Sequence, residues 1–152
     1  MKNMVKVSCL AVVVCAILGG CMADKKPTQA AASPTAVNLT GTQWSLEELG
    51  GKAVIANSLA TLTFPEAGKV AGNGSCNRFT GLAEIDGGAI KLGPLASTRM
   101  MCEGEVFTQE AAYLKALEGA QRFEVKEGKL YLYVSGAEKA LVFRAASRPE
   151  SK

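Results

Sequence analysis

Apolar and polar positions alternate with period two through much of the chain, the pattern of strands with one buried face. Trp44 and Leu46, with Glu48 in the same register, fall opposite Gln43, Ser45 and Glu47. Gly50-Gly51 then reads as a hairpin turn. Leu59 to Phe64 alternates again, and Pro65-Glu66-Ala67-Gly68 turns the chain. Lys69 to Gly72 and Arg78 to Ile85 flank a glycine-rich loop. Asp86-Gly87-Gly88 is a second hairpin turn, with Ala89 to Leu92 as its return strand. From Pro94 to Gly104 no period is visible, which predicts a loop.

The period changes once. Phe107, Ala111, Leu114 and Leu117 recur at near-helical spacing, which predicts one amphipathic helix with these four on its core face. Glu103 and Glu105 suit its positive N-terminal end, and Gly119 fits a left-handed residue after its last turn. Alternation then returns. Phe123 and Val125 lead to a turn at Glu127-Gly128. Leu130, Leu132 and Val134 face away from Tyr131 and Tyr133, and Ala140 to Arg144 closes the pattern. About eight short strands and one helix predict a mainly β, α+β domain. Its form is a strongly curved antiparallel sheet or partial barrel packed on a single α-helix.

Before residue 39 the pattern is of another kind. Met1 to Lys6 is a basic start, and Val7 to Leu18 is an apolar run of about a dozen residues, too short to span a bilayer. Leu18-Gly19-Gly20-Cys21 resembles a bacterial lipobox, so residues 1–20 are expected to be a lipoprotein signal peptide and Cys21 the lipidated first residue of the mature chain. Gly19 departs mildly from the usual lipobox residue. Acyl chains on Cys21 suffice for stable anchoring. Met22, rather than Asp, follows the cysteine. By the sorting rule this resemblance implies, that favours the outer membrane, with the domain facing the periplasm. Residues 21–38 are rich in Ala, Pro, Ser and Thr, with Pro27 and Pro34 blocking a helix. They are expected to form a flexible tether of about 3 Å per residue when extended. The folded domain is set at 39–145 and a polar tail at 146–152.

Composition narrows the chemistry. The 152-residue chain has a net charge of +3, of which Lys2 and Lys6 leave with the leader. Apart from Lys25-Lys26 its cations are scattered singly, which excludes a nucleic-acid footprint. Histidine is absent. That removes the commonest general base, a Ser-His-Asp triad and every His-containing zinc site. The pairs Glu84/Asp86 and Glu103/Glu105 read as turn and helix-end charges. The expectation is therefore a non-catalytic protein without metal or cofactor.

Cys76 and Cys102 remain after lipidation takes Cys21, while Cys9 and Cys15 leave with the leader. In an oxidising compartment an even pair is expected to form a disulfide, worth roughly 3.5 kcal/mol by loop closure. Two buried free thiols, or a redox-active pair, are the alternatives. Gly72, Gly74 and Gly81 around the first cysteine suit positive φ or close strand approach, and Asn77 suits a left-handed turn. Asn77, Arg78, Thr98 and Arg99 form a candidate polar binding surface beside the bridge. Turn chemistry and solvated charge explain the same residues.

Two stretches together resemble a known family. Gly72, with Ser75-Cys76-Asn77-Arg78-Phe79-Thr80-Gly81, and Leu95-Ala96-Ser97-Thr98-Arg99-Met100-Met101-Cys102 are similar to the META domain. Trp44-Ser45-Leu46, Phe64, Glu110 to Leu117 and Leu130-Tyr131-Leu132 support it, over roughly Leu39 to Arg144. Within the family the likeness is to HslJ-like heat-shock lipoproteins. The resemblance implies a curved antiparallel, barrel-like sheet with a helix, and no established enzymatic activity. It also implies a role in heat and envelope stress, including tolerance of novobiocin. The expected partners are the outer membrane, through the lipid, and an envelope protein or unfolded client. The alternatives are a carrier of a lipid or small apolar ligand in a barrel-like cavity, and a thiol–disulfide exchange protein using Cys76 and Cys102.

Overall fold

A computed structural model describes residues 37–146. The leader, Cys21, the tether up to residue 36 and residues 147–152 of the tail lie outside the described residues. Nine strands and one helix run in chain order: β1 (Thr42–Leu49), β2 (Lys52–Ala53), β3 (Ala60–Phe64), β4 (Lys69–Gly74), β5 (Arg78–Asp86), β6 (Ala89–Ser97), α1 (Gly104–Glu118), β7 (Ala120–Lys126), β8 (Lys129–Val134) and β9 (Leu141–Ala145). All neighbours pair antiparallel, and β9 pairs back onto β1, with Leu46 opposite Phe143. The sheet is therefore a closed barrel of eight strands, with β2 as a two-residue flap on the end of β1. Closure corrects the partial barrel expected from sequence. It removes both sheet edges, and the partners that meet are the two ends of the domain, which no local pattern marks.

Alternation sets the inside. Trp44 and Leu46, Leu62 and Phe64, Phe79 and Ala83, Ile90 and Leu92, Leu130 and Leu132, and Leu141 and Phe143 are all buried. An eight-stranded barrel is just wide enough for side chains to fill or for one small ligand. Rings meet there: Tyr113 lies 6.0 Å from Phe79, edge to face, and 6.2 Å from Phe143. Gly72 is the inward position opposite Phe79, and a Cβ on it would lie 2.6 Å from Phe79 Cζ. The ring takes the space the glycine leaves, so Gly72 serves close approach rather than positive φ.

Two elements differ from the sequence reading. β6 does not stop at Leu92 but runs through Pro94 to Ser97, pairing Leu95 with Gly81 and Phe79 with Ser97. The register with β5 shifts between Gly81 and Ala83, opposite Gly93-Pro94, which is where a residue without an N–H fits a ladder. In β1 the register against β9 shifts after Leu46, so Glu48 is exposed rather than facing in with Trp44.

The helix begins after Glu103, whose backbone is extended (φ −121°, ψ 162°), and carries Glu105 in its first turn. Its buried residues are Gln109, Glu110, Tyr113 and Leu117. Of the four predicted core positions only Leu117 is fully buried; Phe107 and Ala111 are exposed and Leu114 is half-buried. The buried stripe is rotated toward polar side chains because the surface it meets is loop backbone, which needs hydrogen bonds rather than apolar cover. Gly119 ends the helix at φ −88°, not in the left-handed region. Its lack of a side chain serves packing, since a Cβ would lie 2.9 Å from Val134 Cγ1.

Candidate functional site

The helix lies over one end of the barrel, where the segment before β3, the β4–β5 loop and the segment after β6 come together. Glu110 is 6 % exposed and is the centre of this end. Its Oε2 accepts the backbone N–H groups of Cys76 (3.1 Å) and Asn77 (2.7 Å). Its Oε1 accepts Asn77 Nδ2 at 2.6 Å. Asn77, equally buried, passes the connection on: its Oδ1 accepts Thr98 Oγ1 (2.8 Å) and Met100 N–H (2.7 Å). Thr98 Oγ1 in turn accepts Arg78 N–H at 3.2 Å. One carboxylate and one amide thus hold two loops that are distant in sequence. The bonds to the charged oxygen are the strong kind.

Gln109 performs the same task one residue earlier. Its Oε1 accepts Ile55 N–H (2.8 Å), and its Nε2 donates to Ser58 Oγ (2.9 Å) and Ser75 Oγ (3.3 Å). Tyr113 donates from its hydroxyl to Thr61 O at 3.1 Å. Burial pushes that hydroxyl well above the ordinary tyrosine pKa, so it is a neutral donor throughout the physiological range. Among the described residues, every buried side-chain nitrogen and oxygen has a partner.

Cys76 and Cys102 form a disulfide that joins the same two loops, their Cα atoms 6.3 Å apart. The sequence-predicted residues beside it divide. Asn77 and Thr98 enter the internal network. Arg78 and Arg99 are exposed and, among the described residues, reach no carboxylate within ion-pair distance. The left-handed residue of the loop is Ser75 (φ 97°), not Asn77; Asn73 Oδ1 accepts its N–H at 2.8 Å. Asn77 side-chain atoms go to other segments rather than to the local turn. Gly74 gives Glu110 its room, because a Cβ there would lie 2.6 Å from Glu110 Cγ and Oε2. Gly81 likewise serves close approach, its Cβ position 2.7 Å from Leu95 Cδ2.

Sequence reasoning missed Gln109 and Glu110 because polar residues on a helix read as its solvated face. The signal that could have found them is their spacing: 109, 110, 113 and 117 form one continuous helical stripe that ends in Tyr113 and Leu117. Beyond this network the end exposes several apolar side chains among its charges. Met100 is 63 % and Met101 96 % exposed, with Leu59 and Phe107 also open to solvent. A groove of about 840 Å³ lies between the β1–β2 hairpin and the first turns of α1, lined by Leu49, Ala53, Ile55, Thr108 and Ala112 among others. No cluster of candidate metal ligands occurs among the described residues. No described helix is long and apolar enough to cross a membrane.

A closed eight-stranded antiparallel barrel, capped by one helix and bridged between its capping loops, defines a small β-barrel domain with a rigid loop surface at one end. The META domain family profile matches residues 37–147, and the chain belongs to that family. Its fold is similar to the solution structure of a protein from Burkholderia xenovorans, with TM-score 0.61 and 27 % identity over 82 % of this chain and 99 % of that one. A second solution structure has TM-score 0.57 at 24 % identity and covers 70 % of this chain and 90 % of that one. No curated protein matches.

Proposed function

We propose that this chain is a non-catalytic binding module, anchored through lipid on Cys21 to the outer membrane and facing the periplasm, that serves tolerance of heat and envelope stress. The site at issue is the capped end, and one observation carries the reading. The polar groups buried there are spent on holding loop backbone, while the loop they hold presents Met100 and Met101 to solvent beside Arg78 and Arg99. Exposed methionines are adaptable apolar contacts, suited to a protein surface or an unfolded client. The rings of Phe79, Tyr113 and Phe143, buried and in contact inside the barrel, favour this surface over an apolar ligand held there. The HslJ-like branch of the family supplies the expected physiology, including novobiocin tolerance.

The test is complementation. A deletion strain should lose survival on heat challenge or with novobiocin. The wild-type gene should restore it, and a Met100→Asp/Met101→Asp gene, made and exported at the same level, should not. An unaffected deletion strain, or full rescue by the variant, contradicts the proposal.

A further inference from the structure

The segment after β6 has a charge order that is its own complement. Residues 98–103 lie outside helix and strand and are exposed except Cys102. They read Thr98-Arg99-Met100-Met101-Cys102-Glu103, cation first, methionines in the middle, carboxylate last. In an extended segment, residues two apart share a side. Cys102 is bridged to Cys76 and so faces the domain, while the Met100 N–H is held by Asn77 and its side chain stays 63 % exposed. Met101, between them, is 96 % exposed, with Arg99 and Glu103 exposed on either side. Glu103 has the extended backbone this alternation requires (φ −121°, ψ 162°).

We infer that this strip is a self-association surface, on which a second copy of the chain docks by twofold symmetry about Met101. Twofold pairing of a strip with itself runs antiparallel. With Met101 on the axis, Arg99 of each copy falls opposite Glu103 of the other, the same number of residues from the centre. Arg78, exposed beside Thr98, extends the cationic side, and Glu105, exposed at the helix start, extends the acidic one. The charge balance of the strip argues for this occupant over an anionic lipid surface, which Glu103 and Glu105 would repel. The disulfide and the Asn77 bonds fix the strip before docking, so little ordering is required on association. The inference rests on the capped end being an interaction surface and adds the identity of one partner.

The experiment is sedimentation of the full chain in density-matched detergent across a concentration series. Wild type should show a reversible monomer–dimer equilibrium. Met101→Asp should weaken it at least about tenfold, and Arg99→Glu and Glu103→Arg should each weaken it about tenfold as well. An equimolar mixture of Arg99→Glu with Glu103→Arg should recover the dimer, because both cross pairs then have opposite charge again. A wild-type chain that stays monomeric overturns the inference. So does a dimer indifferent to these substitutions, or a mixture that fails to recover. Such a result alongside loss of complementation by the double methionine variant would leave the binding-module reading standing.

Discussion

At the end where the described chain enters, the barrel closes with local chemistry. Leu39 is buried beneath the turns, Lys69 N–H bonds back to Glu66 O at 3.2 Å, and the Asp86–Gly88 and Glu127–Gly128 turns connect adjacent strands. At the opposite end the backbone of the connecting segments is satisfied from a distance, by Gln109, Glu110 and Asn77 and by the Cys76–Cys102 bridge. A local turn fixes its own hydrogen bonds, whereas the three-residue β4–β5 loop and the longer segments before β3 and after β6 leave donors that would be buried unpaired. The helix supplies their acceptors. Held loops at one end and plain turns at the other fit the interaction surface proposed for the capped end.

The sharpest way to break this contrast is Glu110→Ala. It leaves the amides of Cys76 and Asn77 and the Asn77 side chain without their charged acceptor, and should cost about 4 kcal/mol in urea unfolding. At the entry end, Glu66→Ala removes an ion pair between side chains that are 61 % exposed and should leave the unfolding midpoint unchanged within error. Equal losses at the two ends would dissolve the distinction.

Removing the bridge is next in size. Cys76 and Cys102 are 26 residues apart, and Cys76→Ser/Cys102→Ser should lower stability by about 3 kcal/mol with the barrel retained. The readout is urea unfolding alongside far-ultraviolet circular dichroism.

The smallest expected loss concerns Tyr113. Losing its bond to Thr61 O in Tyr113→Phe should cost about 1 kcal/mol at neutral pH. Its raised pKa means the unfolded chain gives up this proton first. The stabilisation is therefore complete below about pH 10 and declines as pH rises beyond it. Unfolding midpoints taken across that range should fall more steeply for wild type than for Tyr113→Phe; equal slopes would remove Tyr113 from the account of alkaline stability.

These residues also show what was legible before the structure. Strand positions were readable because inward residues such as Leu62, Leu130 and Leu132 alternate with polar ones, and the hairpin turns because glycine marks them. The cysteines and Asn77 drew attention together by sequence, and the structure does bring Asn77, Thr98 and both cysteines into one network. The side chains of Arg78 and Arg99 remain outside it. The helix face was misjudged because hydrophobicity alone places Phe107 inside, although it is 59 % exposed. A buried carboxylate is costly unless specific donors await it, and those donors lie on another segment, so no local pattern announces them. The continuation of β6 past Gly93-Pro94 and the closure of β9 on β1 depend likewise on distant partners.

The most direct measurement is amide hydrogen exchange on the full chain, residue by residue, in wild type and in Glu110→Gln, which keeps the shape but offers one acceptor oxygen where the carboxylate offers two. In wild type, the amides of Cys76, Asn77 and Met100 should exchange nearly as slowly as those of Leu62 and Leu132. In the variant, the first three should lose protection selectively while the barrel amides stay slow. Fast exchange at Cys76, Asn77 and Met100 in wild type, or unchanged protection in the variant, would contradict the claim that Glu110 holds the capped end together.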